Sequence, residues 1–442
     1  MSSPKVAVQT DPRARLISDI GDREVVIWGA RMTGIGFARF AKAQGIRTRA
    51  FIDSDPALRG KTVSGIRIYP PDYLAELVAT GTRFVVVLAV SIKEDEIISS
   101  LTGYGLSADD LIVYSKYCKV FYTIDVVGSC NLKCPSCVHG TPDNSMPTGL
   151  MSLDTFKKVI DKIKTDAPLV THVGLYNWGE PFLHPELHHI VDHLHRNDIA
   201  VAISSNLSFR FADRLDRVIK ANPEYLKVSV SGYFSKAYNN THTGGDVNLV
   251  KSNMYRLRYL IDRYSADTLV DVNYHLYKDN NGINLTKMRE LCTELGFVLS
   301  TVNALVMPLE KVLKHCEGRP DPDTVRLSEN LLVSIDEGIS AASMFKSSRC
   351  SFMDNQVNIN FDLTVPICCT VAERQGNIVE ENFLASTPRS IEEKKAQASI
   401  CMKCMAYGLP EYNMGYNRAA WDEIASSKGS CDSGSTGGSQ TT

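Results

Sequence analysis

From about residue 120 the chain alternates short β-branched, apolar stretches with longer helical ones, and it does so six times. The candidate strands are "KVFYTIDVVGSC", "THVGLYNWG", "AVAISSN", "YLKVSVSG", "LVDVNYHLY" and "FVLSTVNAL". Helical stretches such as "LDTFKKVIDKIKT" and "LTKMRELCTELG" separate them. Six such units are too many and too regular for a small sheet, so they predict a partial or full βα barrel. An earlier alternation covers residues 24 to about 115, with strands at "EVVIWG", "RTRAFIDSDP", "RFVVVLAVS" and "DDLIVY". "TGIGFARFAKAQG" is a helix that ends in Gly. This first alternation predicts a small parallel sheet, with "RFVVVLAVS" buried on both faces. The pattern loosens from about residue 311, and the Ser/Gly/Thr-rich end "SSKGSCDSGSTGGSQTT" is expected to be disordered.

The 442 residues suit roughly two to four domains. Hydrophobic content of 44% and charged content of 22% are those of a soluble globular protein. A net charge of −2 supplies no basic field, so nucleic acid is not an expected partner. "MSSPKVAVQTDPRARL" lacks the apolar core of a signal peptide, and no apolar run approaches the ~18 residues of a membrane span. The expectation is a cytoplasmic protein without membrane association. In that reducing setting, 12 cysteines are expected to be free thiols and metal ligands rather than disulfides.

Three of them fall in "GSCNLKCPSC", at Cys130, Cys134 and Cys137. The loop leaves the C-terminal end of a predicted strand, where barrels place their chemistry. Three thiolates do not complete a tetrahedral zinc site. They can hold three irons of a [4Fe–4S] cluster and leave the fourth iron open. Gly128, Asn131 and Pro135 suit a tight loop. Spacing alone leaves open a chance Cys-rich loop, or a zinc knuckle that borrows His139.

CxxxCxxC after a first barrel strand resembles the radical S-adenosylmethionine (SAM) superfamily. "SCNLKC" resembles in particular its members with an extra C-terminal cluster domain. The resemblance implies that the open iron binds the amino and carboxylate groups of SAM. An electron from the reduced cluster then cleaves SAM to methionine and a 5′-deoxyadenosyl radical, which takes a hydrogen atom from an unactivated carbon. "NWGEP", residues 177–181, resembles the Gly-Gly-Glu motif that holds the SAM amino group. Gly179, Glu180 and Pro181 would serve there, and Trp178 replaces the first Gly. "SSN" and "SVSG" end the next two strands, and the resemblance implies that Ser205, Asn206, Ser229 and Ser231 reach the ribose and carboxylate of SAM. The superfamily usually carries an aromatic residue before the third Cys. Here it is Ser136, which removes the adenine contact expected at that position.

A second set comprises Cys350, Cys368 and the CxxC pair Cys401 and Cys404. "VNINFDLTVPIC" reads as two strands around a turn at Asp362. Four thiolates complete a closed site, for zinc or for an iron–sulfur cluster. The pattern resembles the shortened auxiliary-cluster ("twitch") region that follows some radical SAM barrels. The longer SPASM version has further cysteines after the CxxC, and none lies between Cys404 and the tail. One auxiliary [4Fe–4S] cluster is therefore expected, with a zinc ribbon as the alternative and Cys369 able to replace Cys368. Cys118 and Cys292 read as core residues, and Cys431 as inert in the tail. Cys316, in the polar "KHCEGRPDPD", is a candidate hydrogen-atom donor.

Two other signals lead in different directions. "HPELHHIVDHLHRND" holds five histidines, but Leu187, Ile190, Val191 and Leu194 form the apolar stripe. The histidines then belong to a solvated face, not a zinc site. "WGARMTG", residues 28–34, follows a strand and opens a helix as a dinucleotide loop does, with Arg31 where the second Gly belongs. Gly29, Arg31, Gly34 and Asp53 are candidate contacts for a nucleotide-like ligand. "FIDSDPALRGKTVSGIRI" resembles the small Rossmann-like domains of sugar-modifying enzymes.

The expected architecture is α/β in three parts. Residues 1–115 form a Rossmann-like domain, 116–310 a partial (β/α)6 radical SAM barrel, and 311–425 a linker and small α+β cluster domain; 426–442 form the tail. The resemblance implies an oxidoreductase or epimerase that uses SAM and two [4Fe–4S] clusters. A flavodoxin or ferredoxin would supply electrons. The expected small-molecule substrate is a sugar, nucleotide-sugar or cyclitol. Modification of a ribosomally made peptide is the alternative within the class. A non-catalytic iron–sulfur or zinc scaffold is the alternative outside it.

Overall fold

A computed structural model describes residues 11–90, 94–140, 146–346, 350–414 and 418–428. Cys431 and the rest of the tail from residue 429 lie outside the described residues.

The first sheet contains β1 (Glu24–Trp28), β2 (Thr48–Ile52), β3 (Thr62–Val63), β4 (Ile66–Tyr69), β5 (Phe84–Leu88) and β6 (Leu111–Val113). Their spatial order is β3-β4-β2-β1-β5-β6, and all neighbours are parallel except β3 and β4. The β3–β4 hairpin escapes the sequence reading. It turns at Ser64 and Gly65, with φ of 49° and 76°. Ser-Gly between two β-rich stretches is the local signal that reveals it.

The second sheet contains β7 (Phe121–Ile124), β8 (His172–Leu175), β9 (Ala200–Ser205), β10 (Tyr225–Val230), β11 (Leu269–Leu276), β12 (Val298–Asn303) and β13 (Gln356–Ile359). It is wholly parallel, in the order β12-β11-β10-β9-β8-β7-β13. The six expected strands run in chain order. The seventh comes from the region expected to form a separate domain. β13 forms the edge of the sheet beside β7, yet all four of its residues are buried, and it pairs with β7 and not with its chain neighbour. That neighbour, β14 (Val365–Pro366), pairs with β15 (Ile378–Glu380). The expected turn at Asp362 is present: its carboxylate accepts from the Thr364 backbone and hydroxyl, at 3.2 and 2.7 Å.

Alternation along the strands splits the second sheet into two faces. Val201, Ile203, Leu226, Val228 and Val272 pack with Phe156, Ile160, Ile190 and Leu194 of the covering helices. Ala202, Tyr225, Leu269 and Val298 point the other way and meet the Met32–Ala43 helix of the first sheet through Phe37, Phe40 and Ala41. Gly36 makes this approach possible, because a Cβ there would lie 2.8 Å from the Thr171 carbonyl oxygen. A helix of the first sheet thus covers the floor of the second sheet's inner face.

The chain stays ordered beyond the expected tail boundary. The Arg418–Ser427 helix buries Trp421 against Tyr412, with ring centroids 5.3 Å apart. No helix among the described residues is long and apolar enough to cross a membrane.

His172 lies at the junction of the two sheets, buried and stacked on Phe121. Burial pushes its imidazole down to about 4. A base depressed in the folded state stabilises the fold above its unfolded pKa of about 6.5, and that stability fades as pH falls towards 4. His172→Phe should therefore flatten the acid limb of the stability–pH curve while holding stability near neutral pH. Urea midpoints across pH 4–7.5 would check it, and an unchanged acid limb would refute it.

Candidate functional site

Above that floor, at the C-terminal ends of β8 to β12, lies a chamber of about 580 Å³. Cys130, Cys134 and Cys137 line one wall. Two successive tight turns gather the last two, with Cys137 N–H bonded to Cys134 O and Gly140 N–H to Cys137 O, both at 3.0 Å. Gly140, which the sequence reading passed over, is required because a Cβ would sit 2.1 Å from the Cys134 carbonyl oxygen. Gly128 serves contact rather than the expected turn, because its missing Cβ leaves room for the Phe361 ring. Asn131 ties the loop down by donating to Ser208 O at 2.7 Å and accepting from Asn206 Nδ2 at 3.0 Å. Leu132 N–H and Asn206 Nδ2 both approach Cys130 Sγ, at 3.5 and 3.7 Å. Burial pushes the Cys130 thiol up to about 12, and it also raises Cys134 and Cys137. Such thiols become thiolates only when a metal supplies positive charge.

Beside them, "NWGEP" is held by a residue the sequence reading missed. Asp125, just past β7, is buried and accepts from Trp178 N–H at 3.0 Å and Gly179 N–H at 3.2 Å. Burial pushes its carboxyl up to about 7. The close approach at Gly179 is to the chain itself, because a Cβ would fall 1.7 Å from Val127 O. Glu180 accepts from Ser205 Oγ at 2.8 Å, Asn206 N–H at 2.8 Å and Phe182 N–H at 3.1 Å. Burial still pushes its carboxyl up to about 7. Three of about four acceptor positions are filled, which leaves one for a ligand cation. Ser205 therefore positions Glu180. Gly179, Asn206, Ser229 and Ser231 line the chamber, whereas Pro181 is buried behind it and opens a short helix. Ser136 lines the chamber and bonds to the Tyr277 hydroxyl, so an aromatic ring stands next to the position that lacks one.

The far side is built from β10, β11 and the loops after β12 and β14. His275 contacts Ser231 Oγ at 3.3 Å and Asn273 Nδ2 at 3.2 Å. Burial holds His275 near 4 and His242 near 3, so both are neutral. Asn280, fully buried, knits the strand ends by bonding Tyr277 N–H, Ser231 O and His275 O. Lys227 is the sole Lys or Arg among the described lining residues.

Cys350, Cys368, Cys401 and Cys404 line a second, smaller cavity. Cys369 lines the main chamber and not this cavity, while its thiol stays within hydrogen-bond reach of Cys368. Phe352, Thr370 and Asn413 line both, so one layer of side chains separates them. Lys395 is 2% exposed, donates to Gln356 O and feels Cys368, Cys369, Cys401 and Cys350 electrostatically. A buried ammonium needs anionic partners. Thiolates under a metal supply them, so this donor set fits a metal–thiolate group. Among the described residues no three or more His, Cys, Asp or Glu side chains converge as around a single ion. A cluster instead takes one thiolate on each of several irons. Cys316 ends the Leu309–Cys316 helix near Cys404 and lines neither cavity. Helix packing thus removes it from the donor role expected of a loop thiol.

The "WGARMTG" loop is occupied by its own protein. Asp53 accepts from Ala30 N–H and Asp55 N–H, both at 2.9 Å. Gly29 has φ 108°, and Gly34 is packed so closely that a Cβ would lie 1.7 Å from Gly29 O. Arg31 bonds Asp55 at 2.6 Å, Ser300 at 3.0 Å and Asp271 at 3.1 Å. The guanidinium expected to meet a phosphate is spent on carboxylates, two of its partners lying in the second sheet.

Residues 124–279 match the Radical SAM superfamily. No curated protein matches the chain. Among solved structures, native anSMEcpe with bound AdoMet is 15% identical, with 70% of this chain and 100% of that chain covered and a TM-score of 0.45. Streptococcus suis SuiB bound to precursor peptide SuiA is 11% identical, with 66% and 67% covered and a TM-score of 0.42. UDP-D-quinovosamine 4-dehydrogenase from Vibrio fischeri is 32% identical over 19% of this chain and 73% of that chain, with a TM-score of 0.17.

Proposed function

We propose that this chain, whose residues 124–279 match the Radical SAM superfamily, is an enzyme that uses SAM and an iron–sulfur cluster and that it oxidises or epimerises a carbinol carbon of a sugar, nucleotide-sugar or cyclitol. Cys130, Cys134 and Cys137 hold the SAM cluster. Glu180 receives the SAM ammonium, with Gly179, Asn206, Ser229 and Ser231 around the cofactor. When bound, cluster and SAM together supply a 5′-deoxyadenosyl radical. Cys350, Cys368, Cys401 and Cys404 hold an auxiliary [4Fe–4S] cluster. A flavodoxin or ferredoxin supplies electrons from outside.

One observation carries the oxidative reading: the cysteine quartet shares Phe352, Thr370 and Asn413 with the chamber wall. A redox group held by those four cysteines would lie one layer of side chains from the chamber. The Rossmann-like first sheet, in place of a small peptide-binding domain, favours a small molecule over a peptide. Glu180 and the three-thiol wall weigh against a non-catalytic scaffold.

The test starts from the anaerobically reconstituted chain. Reduction in deuterated water with SAM and a panel of nucleotide-sugars should give 5′-deoxyadenosine, with a ketone or deuterium gain in one substrate. Deoxyadenosine without either product would sink the carbinol reading. Zinc, no iron and no deoxyadenosine would sink the radical reading as well.

A further inference from the structure

Lys227 projects from the middle of β10 into the chamber. Its register partners are Ser204 on β9 and Asp271 on β11. Asp271, the Tyr176 ring with centroid at 5.4 Å, Cys369 and His275 face it, and Tyr225 and Arg31 hold Asp271 from beneath. Asp271 is the one carboxylate among them. That carboxylate is claimed from the floor, because its Oδ2 accepts from Tyr225 Oη at 2.7 Å and from Arg31 Nε at 3.1 Å. Arg31 belongs to the first sheet's helix, so a residue from outside the second sheet holds the one carboxylate beside Lys227. Burial lowers the Lys227 ammonium, with Asp271 and Cys369 pulling the other way.

We propose that Lys227 is the catalytic proton acceptor for the substrate hydroxyl, and that Arg31 is a positioning residue that keeps Lys227 available by engaging Asp271. This rests on the carbinol-oxidation reading above. The step balances as follows. The substrate C–H bond breaks, and its hydrogen atom forms the new C–H bond of 5′-deoxyadenosine. The hydroxyl proton passes to Lys227 Nζ, which accepts it in its amine form. The remaining electron goes to the auxiliary iron–sulfur cluster, which is reduced as the carbonyl forms. The first sheet then has a task at the reaction centre: it supplies the charge beneath the chamber.

Two measurements on the reconstituted full chain test the idea separately. Trace labelling with isotopic acetic anhydride across a pH series, read by mass spectrometry on the Lys227 peptide, reports its protonation without turnover. Half-maximal labelling is expected below the ordinary lysine value of about 10.4. Arg31→Met should move it up, because Asp271 then serves Lys227 alone. Asp271→Asn should move it down, and it carries the test if Arg31→Met fails to fold. An ordinary value that neither variant moves would overturn the proposal. In turnover, Lys227→Met should lower ketone formed per deoxyadenosine about 100-fold, the usual contribution of a positioned base. An unchanged ratio overturns the catalytic role. Wild-type deoxyadenosine with no ketone from any carbinol overturns the oxidative reading, while the labelling result still decides the Arg31–Asp271 arrangement.

Discussion

Cys134→Ala is expected to abolish 5′-deoxyadenosine formation and to leave the reconstituted chain with roughly four of its roughly eight irons. The effect is large because three ligands have no redundancy. Cys134 shares its turn with Cys137, its carbonyl accepting the Cys137 N–H at 3.0 Å. Among the described residues the one other thiol lining the chamber is Cys369, on a different loop. The fold should persist, because the loop is also anchored through Asn131, and through Lys133 N–H to Thr243 O at 2.8 Å. Iron and sulfide counts, with deoxyadenosine measured by chromatography after dithionite and SAM, check both halves. Deoxyadenosine retained in this variant would overturn the ligand assignment.

Cys368→Ser and Cys369→Ser should behave in opposite ways although the two residues are neighbours. Cys368 faces Cys350, Cys401 and Cys404, and its Sγ lies 3.3 Å from Thr370 Oγ1. On the proposed auxiliary cluster, its loss would remove one of four ligands and leave Lys395 buried beside an incomplete anion. Loss of the second cluster is expected, and with it a stability cost of about 3–5 kcal/mol, the usual result of stranding a buried charge. Cys369 faces the chamber beside Lys227. Its replacement should leave the iron count alone and show itself in the fate of the substrate. Iron analysis with thermal denaturation separates the two. Equal iron in both variants would refute the division of labour, and equal loss would mean that the pair acts as one ligand site.

The chemistry-bearing residues were the legible part because they obey local rules. Cys130, Cys134 and Cys137 sit within one loop, and their spacing is itself the signal. Glu180 lies just beyond β8, and Ser205 and Ser229 lie in the last residues of β9 and β10, strands that apolar periodicity marks clearly. Asp125, Asn280 and Gly140 were not legible, because each acts on backbone groups that only the folded chain brings to it. Asp125 reads as an ordinary acid until Trp178 and Gly179, more than fifty residues on, present their N–H groups. Pro181 sits next to Glu180 in sequence but lies behind the chamber, and Cys316 ends a helix that keeps it away from both cavities.

The first sheet shows where the division falls. Its βαβ pattern and the strand–Gly–helix turn at 28–34 are local, and the sequence alone determined them along with the six-unit succession and the two cysteine sets. It could not determine what Arg31 would meet. Asp271 and Ser300 lie 240 and 269 residues away along the chain. Only the docking of the Met32–Ala43 helix onto the inner face of the second sheet brings them within hydrogen-bond distance. The same holds for Cys368 and Cys369, which line different cavities although their thiols stay within hydrogen-bond reach of each other. Local periodicity and ligand spacing are properties of the chain, whereas the partner of a long charged side chain is decided by which surfaces bury each other.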